Sequence, residues 1–293
     1  MCYTYFMLIA MAVVCGLLSM ISYGLANVFS QPLARKLGTV QMLFLRGIAV
    51  TLILAVGALI DYRDFNHYKA ILLTFGLGIA GYLPVLAFTH GIKISRIGIM
   101  APIAGASPLI TVLLSFFFLH TPIHFLQWLA IVVIIAANVV MSVDLKDWRS
   151  STLTQLSSGI PFAIIAALGW GCFYFFLVYS TRSLGPWLSA FLVEAGVTFA
   201  AGIHLLFPAK RIPFKEAVSK SVLANSILVC FGTVAYTIGV LYYNVSIVAV
   251  LSDSTAIVSV LLAVYLFHEH LTSKEKVAAI VIVASTVVIT LFR

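Results

Sequence analysis

The feature that most constrains this chain is the length of its uncharged stretches. Residues 70–92, 97–143, 150–181 and 221–252 contain no Asp, Glu, Lys or Arg. Across all 293 residues only 9% are charged and 62% are hydrophobic. A water-soluble fold of this size needs far more charge to cover its surface. Lipid must therefore be the main solvent. An unbroken hydrogen-bonded helix is the simplest way for such a segment to satisfy its backbone there.

A helix needs roughly 20 residues to cross the hydrocarbon core. Ten such spans are predicted, near 6–31, 39–60, 69–90, 97–118, 124–142, 159–180, 186–207, 219–240, 246–267 and 273–292. Little chain remains for a soluble domain. The turns carry ordinary markers, such as Leu37-Gly38, His120-Thr121-Pro122 and Leu184-Gly185-Pro186. Segment 143–158 is the most polar break near the middle and reads as an interfacial linker. It separates a first five-helix repeat, 1–142, from a second, 159–293.

The halves can be laid over one another. With a shift of 149 residues, Ala130-Ile131-Val132 falls on Ala279-Ile280-Val281, and Phe118 on Phe267. Nearer the front a shift of 147 brings Tyr23-Gly24 onto Trp170-Gly171 and Gly38 onto Gly185. Because five is odd, consecutive five-helix halves have opposite orientations. The expected fold is thus an all-α polytopic membrane protein of ten helices in two inverted repeats, an architecture suited to transport. Both termini then lie on the same side. Most Lys and Arg residues fall in the odd-numbered connections, which by itself puts the termini outside.

The net charge of +8 arises mainly in these connections, so topology and anionic lipid account for it better than nucleic acid does. Cys15, Cys172 and Cys230 lie in apolar segments as small hydrophobes. His268, Glu269 and His270 are consecutive, so their side chains diverge and no metal site is read. With no nucleotide-binding glycine loop, nucleophile elbow or HExxH motif, neither a cofactor nor an enzyme is expected.

Polar residues within the spans carry the functional expectation. Arg46, Glu194 and Asp253 would each be unfavourable by roughly 2.5–3.5 kcal/mol facing lipid at mid-membrane. They are expected to face protein, water or the membrane edge, with Glu194 or Asp253 binding a coupling proton or a cationic group, or else making a structural hydrogen bond near the headgroups. Snorkelling or a topological role competes at Arg46. Tyr23, Asn27 and Gln31 recur every four residues on one face of helix 1, available to a solute or to neighbouring helices. Trp170 and Tyr174 form the related pair in helix 6, with Tyr82, Tyr236 and Ser252 as further lining candidates. Pro102, Gly105 and Pro108 predict a bend or break in helix 4, a gate-forming element.

On these residues the chain resembles the drug/metabolite transporter superfamily, and within it the EamA-domain permeases. The aromatic-Gly motif looks like Tyr23-Gly24 through Gln31, and again Trp170-Gly171 through Phe176. The helix 2 arginine looks like Arg46, the helix 4 proline like Pro108, and the acid before the last helix of a repeat like Glu269. The chain departs from the pattern at His120, the counterpart of Glu269, and at Ile257, the counterpart of Pro108. The helix 2 arginine is likewise replaced in the second half, near Val193 and Glu194.

The resemblance implies a ten-helix basket whose cavity is lined mainly by helices 1, 3, 4, 6, 8 and 9. Helices 5 and 10 would be peripheral and available to a homodimer. It also implies an inner-membrane carrier of amino acids, nucleotide-linked sugars, drugs or other small metabolites, often an exporter, with cytoplasmic termini. That orientation opposes the charge bias. Glu194 and Asp253 would favour a cationic or zwitterionic solute such as an amino acid or amine. An uptake carrier, an exchanger and a passive channel or assembly protein are the alternatives.

Overall fold

A computed structural model describes residues 2–60, 67–120, 125–142, 159–207, 215, 219–242, 248–249, 251–252, 254–267, 272–274, 276–278, 280–281 and 284–285. The linker 143–158, Asp253 and Glu269 lie outside the described residues. In the first half the helices are α1 Cys2–Leu37, α2 Thr39–Ile60, α3 Tyr68–Ile94, α4 Ile97–Ala104, α5 Ser107–Leu119 and α6 Phe125–Ser142. The second half supplies α7 Ile160–Leu184, α8 Pro186–Leu206, α9 Lys220–Tyr242 and α10 Thr255–Phe267.

Six of these, α1, α2, α3, α7, α8 and α9, are long and apolar enough to cross a membrane. The exposed face of α2 carries Leu52, Val56, Leu59 and Ile60. Their three- and four-residue spacing makes one apolar stripe, and the only apolar solvent for such a stripe is lipid. The protein is an all-α polytopic membrane protein.

Helix α1 runs six residues beyond its predicted end, through Pro32 to Leu37. Proline removes one backbone donor, but neighbouring side chains hold this last stretch in place. Gln31 Nε2 donates to the Ile92 and Ser95 carbonyls, each at 3.2 Å, and Arg35 Nε to the Lys93 carbonyl at 3.3 Å. Gly38 then closes the helix at φ 92°, a conformation other residues rarely adopt.

Helix 4 of the sequence reading is two helices. Pro108 has no N–H to offer the Ala104 carbonyl, and its ring crowds that turn. The helix ends at Ala104, passes through Gly105 and Ala106, and restarts as α5 with Pro108 in its first turn. Two tight bonds mark the break, from Ala106 N–H to the Ile103 carbonyl at 3.2 Å and from Leu109 N–H to the Ala106 carbonyl at 3.1 Å. Ahead of α10 the same pair recurs, with Ser254 N–H bonding Leu251 at 3.3 Å and Ile257 N–H bonding Ser254 at 3.1 Å. Ser254 thus stands where Ala106 does in the first half, and Ile257 where Leu109 does, so this register sets Ala256, rather than the Ile257 expected from sequence, against Pro108.

Helices from the two halves pair reciprocally. The most extensive contact joins α1 to α9, and the next joins α3 to α7. Both pairs are antiparallel: Ala26 meets Asn225 while Cys15 lies by Gly239, and Gly91 meets Phe162 while Gly81 meets Phe173. α2 and α8 are antiparallel too, with Phe44 against Gly202 and Gly57 against Trp187. Where α3 crosses α8, Gly78 and Gly196 bring the backbones together. A Cβ on Gly196 would meet the Phe75 carbonyl and the Gly78 Cα. Small residues at membrane helix crossings permit this approach.

Polar side chains join these helices because lipid offers them no partner. Ser19 lies 2.6 Å from Ser252 and donates to the Gly232 carbonyl at 3.0 Å. Thr74 donates to Ser180 at 2.8 Å, and Asn225 to the Ala26 carbonyl at 2.7 Å.

Candidate functional site

Between the crossing helices lies a cavity of about 90 Å³. One water requires roughly 10–15 Å³ of such space, so several waters or a small solute fit. α1 contributes Tyr23, Asn27 and Ser30, and α7 contributes Trp170, Phe173 and Tyr174. Arg46 enters from α2 and Glu194 from α8. α3 adds Gly81, Val85, Phe88 and Thr89, while Thr255 at the start of α10 reaches the same space.

The local sequence explains these placements. Tyr23 and Asn27 are four residues apart, as are Trp170 and Tyr174, so each pair shares a helical face. Phe88 packs against Trp170 with ring centroids 5.0 Å apart, forming an aromatic wall. Opposite charges accompany it. Arg46 is buried, at 9% exposure, and attracts Glu194 electrostatically. Its Nε–H has no hydrogen-bond partner among the described residues. A buried donor of this kind is costly to leave unmatched, and a charged one more so.

Glu194 is tied to α9. Thr233 Oγ1 donates to Glu194 Oε1 at 3.1 Å, and the Tyr23 hydroxyl lies 2.8 Å from the same threonine oxygen. One carboxylate, one hydroxyl and one phenol therefore link α8, α9 and α1 at the cavity edge. Further along the α2–α8 seam, Thr198 donates to the Glu194 carbonyl at 2.7 Å and lies 3.1 Å from Thr51. This arrangement can hold a small molecule bearing both charge signs, with an apolar part against the aromatic wall.

The other sequence candidates lie elsewhere. Gln31 is buried and bonds the end of α3. Tyr82 pairs with His204 Nδ1 at 2.8 Å. Tyr236 is fully buried and backs Tyr174 at a ring distance of 4.6 Å. Ser252 bonds Ser19. Gly105 and Pro108 form the break between α4 and α5; Pro102 lies within α4 just before it. Among the described residues, neither α4 nor α5 lines the cavity, whereas α2 and α8 supply its two charges. The resemblance implied the reverse weighting for those helices. Phe173, Phe88 and Thr233 were not singled out by sequence. The first lies three residues after Trp170, a spacing that could have identified it.

No curated protein matches the chain. A crystal structure of a protein 18% identical superposes with a TM-score of 0.74, covering 96% of each chain. At that identity the likeness concerns the fold alone. The family model described as the EamA-like transporter family matches twice, over residues 10–143 and 157–291. Those two matches take in nearly the whole sequence, and with them the cavity residues: the chain belongs to the EamA-like transporter family.

Proposed function

We infer that the protein is a secondary carrier of a small zwitterionic or cationic organic solute, such as an amino acid or amine. One observation carries this reading: Arg46 and Glu194, of opposite charge, face one small cavity with an aromatic wall. A solute carboxylate would take the Arg46 donors, in charge-assisted hydrogen bonds. Its ammonium group would face Glu194, and its apolar part would lie against Trp170 and Phe88. Asn27 and Tyr23 would fix its orientation. Glu194 is also the candidate carrier of a coupling proton among the described residues, and Asp253 shares that role as a proposal from sequence.

The proposed architecture is ten spans in two inverted five-helix repeats, 1–142 and 159–293, joined by the interfacial linker 143–158. Antiparallel pairing of α2 with α8 supports it, as do the reciprocal α1–α9 and α3–α7 contacts. Alternating access would come from rocking of the halves, with bending at the two corresponding breaks, before α5 and before α10. The cell inner membrane is the proposed location and export the proposed direction.

Counterflow in proteoliposomes tests the reading. Purified protein loaded with one amino acid or amine should drive saturable uptake of its labelled form. Glu194→Gln and Arg46→Gln should each abolish this for a zwitterion, while Arg46→Gln should spare a simple amine. Conduction that neither saturates nor supports counterflow would make the protein a channel and end the carrier reading. Cysteine labelling of 143–158 and 208–218 tests the orientation of the termini separately.

A further inference from the structure

A second pocket, of about 530 Å³, opens where the start of α2, the end of α3, the first turns of α7 and the end of α8 meet. His90, Lys93 and His204 line it, and no Asp or Glu is among its lining residues. Arg35 is held beside it through the Lys93 carbonyl. Thr39, Val40 and Gln41 bring the N-terminus of α2 into the same space. Met42 N–H bonds the Gly38 carbonyl at 3.0 Å, so the three N–H groups before it have no carbonyl within their own helix. Such a terminus favours an anion.

Thr39 gives a separate sign of a ligand. It is 7% exposed, yet its Oγ1 has no hydrogen-bond partner among the described residues. Buried hydroxyls are normally satisfied. His204 is oriented by Tyr82 through Nδ1, which leaves Nε2 for another group. The pocket also has an apolar flank. Leu83 lines it nearly three helical turns before Lys93 on α3. Leu83 is 60% exposed and Ile165, on α7, 41% exposed, so this flank faces lipid.

The geometry points to a binding site for one anionic phospholipid. Its phosphodiester lies against Thr39, Lys93 and His204, and an acyl chain runs along Leu83 and Ile165. A basic, donor-rich end joined to a lipid-facing groove fits an amphiphile. A free phosphate would meet the same donors but leave the groove unused. The site is separate from the central cavity and does not depend on the identity of the transported solute.

The test uses the full-length protein in detergent micelles, titrated with phosphatidylglycerol, phosphatidylcholine of the same chain length, or inorganic phosphate. Thermal unfolding and native mass spectrometry are the two readouts. Phosphatidylglycerol should raise the unfolding midpoint and remain bound in the gas phase; the other two should do neither. Lys93→Gln with Thr39→Val should weaken phosphatidylglycerol binding at least fivefold, and Lys93→Arg should retain it. Equal responses to the two lipids would overturn the site, as would undiminished binding by the double variant. Inorganic phosphate reproducing the shift would assign the pocket to a soluble anion and overturn the lipid claim. Should the double variant fail to fold, competition between the two lipids on the wild-type protein decides alone: preferential retention of phosphatidylglycerol supports the site, and equal retention overturns it.

Discussion

Glu194 accepts a hydrogen bond from Thr233 across the α8–α9 contact, Oε1 to Oγ1 at 3.1 Å. The same hydroxyl lies 3.0 Å from the Val229 carbonyl and 2.8 Å from the Tyr23 phenol. A threonine has one proton to give. With Glu194 ionised, Thr233 donates to it and Tyr23 donates to Thr233. With Glu194 protonated, the carboxyl can donate instead and Thr233 can turn its proton to Val229. Thr233 therefore joins the Glu194 carboxyl of α8 to Tyr23 of α1 in either protonation state.

Thr233→Val should consequently impair transport while Thr233→Ser retains most of it. A hydrogen bond to a charged group contributes about 1.5–3 kcal/mol, or roughly 10–150-fold. Initial rates in proteoliposomes provide the measurement. Equal activity of the valine and serine variants would remove Thr233 from the site.

Arg46 and Glu194 should behave as a coupled pair in stability. Removing one partner of a buried charge pair costs about 3–5 kcal/mol, whereas replacing both can be neutral. The Arg46→Met, Glu194→Gln double variant should therefore unfold at a higher temperature than Arg46→Met alone. Strictly additive midpoints would mean that the two charges do not stabilise one another.

Gly196→Ala and Gly76→Ala should differ although both sit within helices. The first puts a methyl group onto the Phe75 carbonyl and Gly78, and overpacking of this kind costs about 1–3 kcal/mol. A Cβ at Gly76 meets nothing within 4 Å, so alanine there should be neutral or stabilising by up to about 1 kcal/mol. Unfolding midpoints of the two purified variants check the contrast.

Pro108→Ala restores a donor that can reach the Ala104 carbonyl and so favours a continuous helix in place of the break. Folding should survive and turnover should fall roughly tenfold, about 1.4 kcal/mol in the barrier. Unchanged turnover would exclude this break from the transport cycle.

Periodicity alone carried much of this architecture. Four-residue spacing grouped Tyr23 with Asn27 and Trp170 with Tyr174, because one helix determines which of its own residues share a face. It also grouped Gln31 with them, yet Gln31 bonds the end of α3. The helix continues past Pro32, so that position is spent on holding α3 rather than on the cavity. Tyr82 and Ser252 have their partners, His204 and Ser19, in the opposite half of the chain, and no local pattern encodes such pairs. The meeting of Arg46 with Glu194 was hidden for the same reason. Pro108 signalled one break directly. The other, at Leu251 to Ile257, has no proline to mark it.

The contact of Gly78 with Gly196 also bears on motion. Most helix pairs interlock through side chains, and sliding them requires each knob to leave its socket. Here main chain rests on main chain, with the Phe75–Phe199 and Tyr82–His204 pairs flanking the crossing. Such a junction can serve as a pivot, letting one half of the molecule roll on the other while the distance between them stays fixed. Any side chain larger than hydrogen would act as a wedge in that bearing, lifting the two halves apart before it stopped them turning.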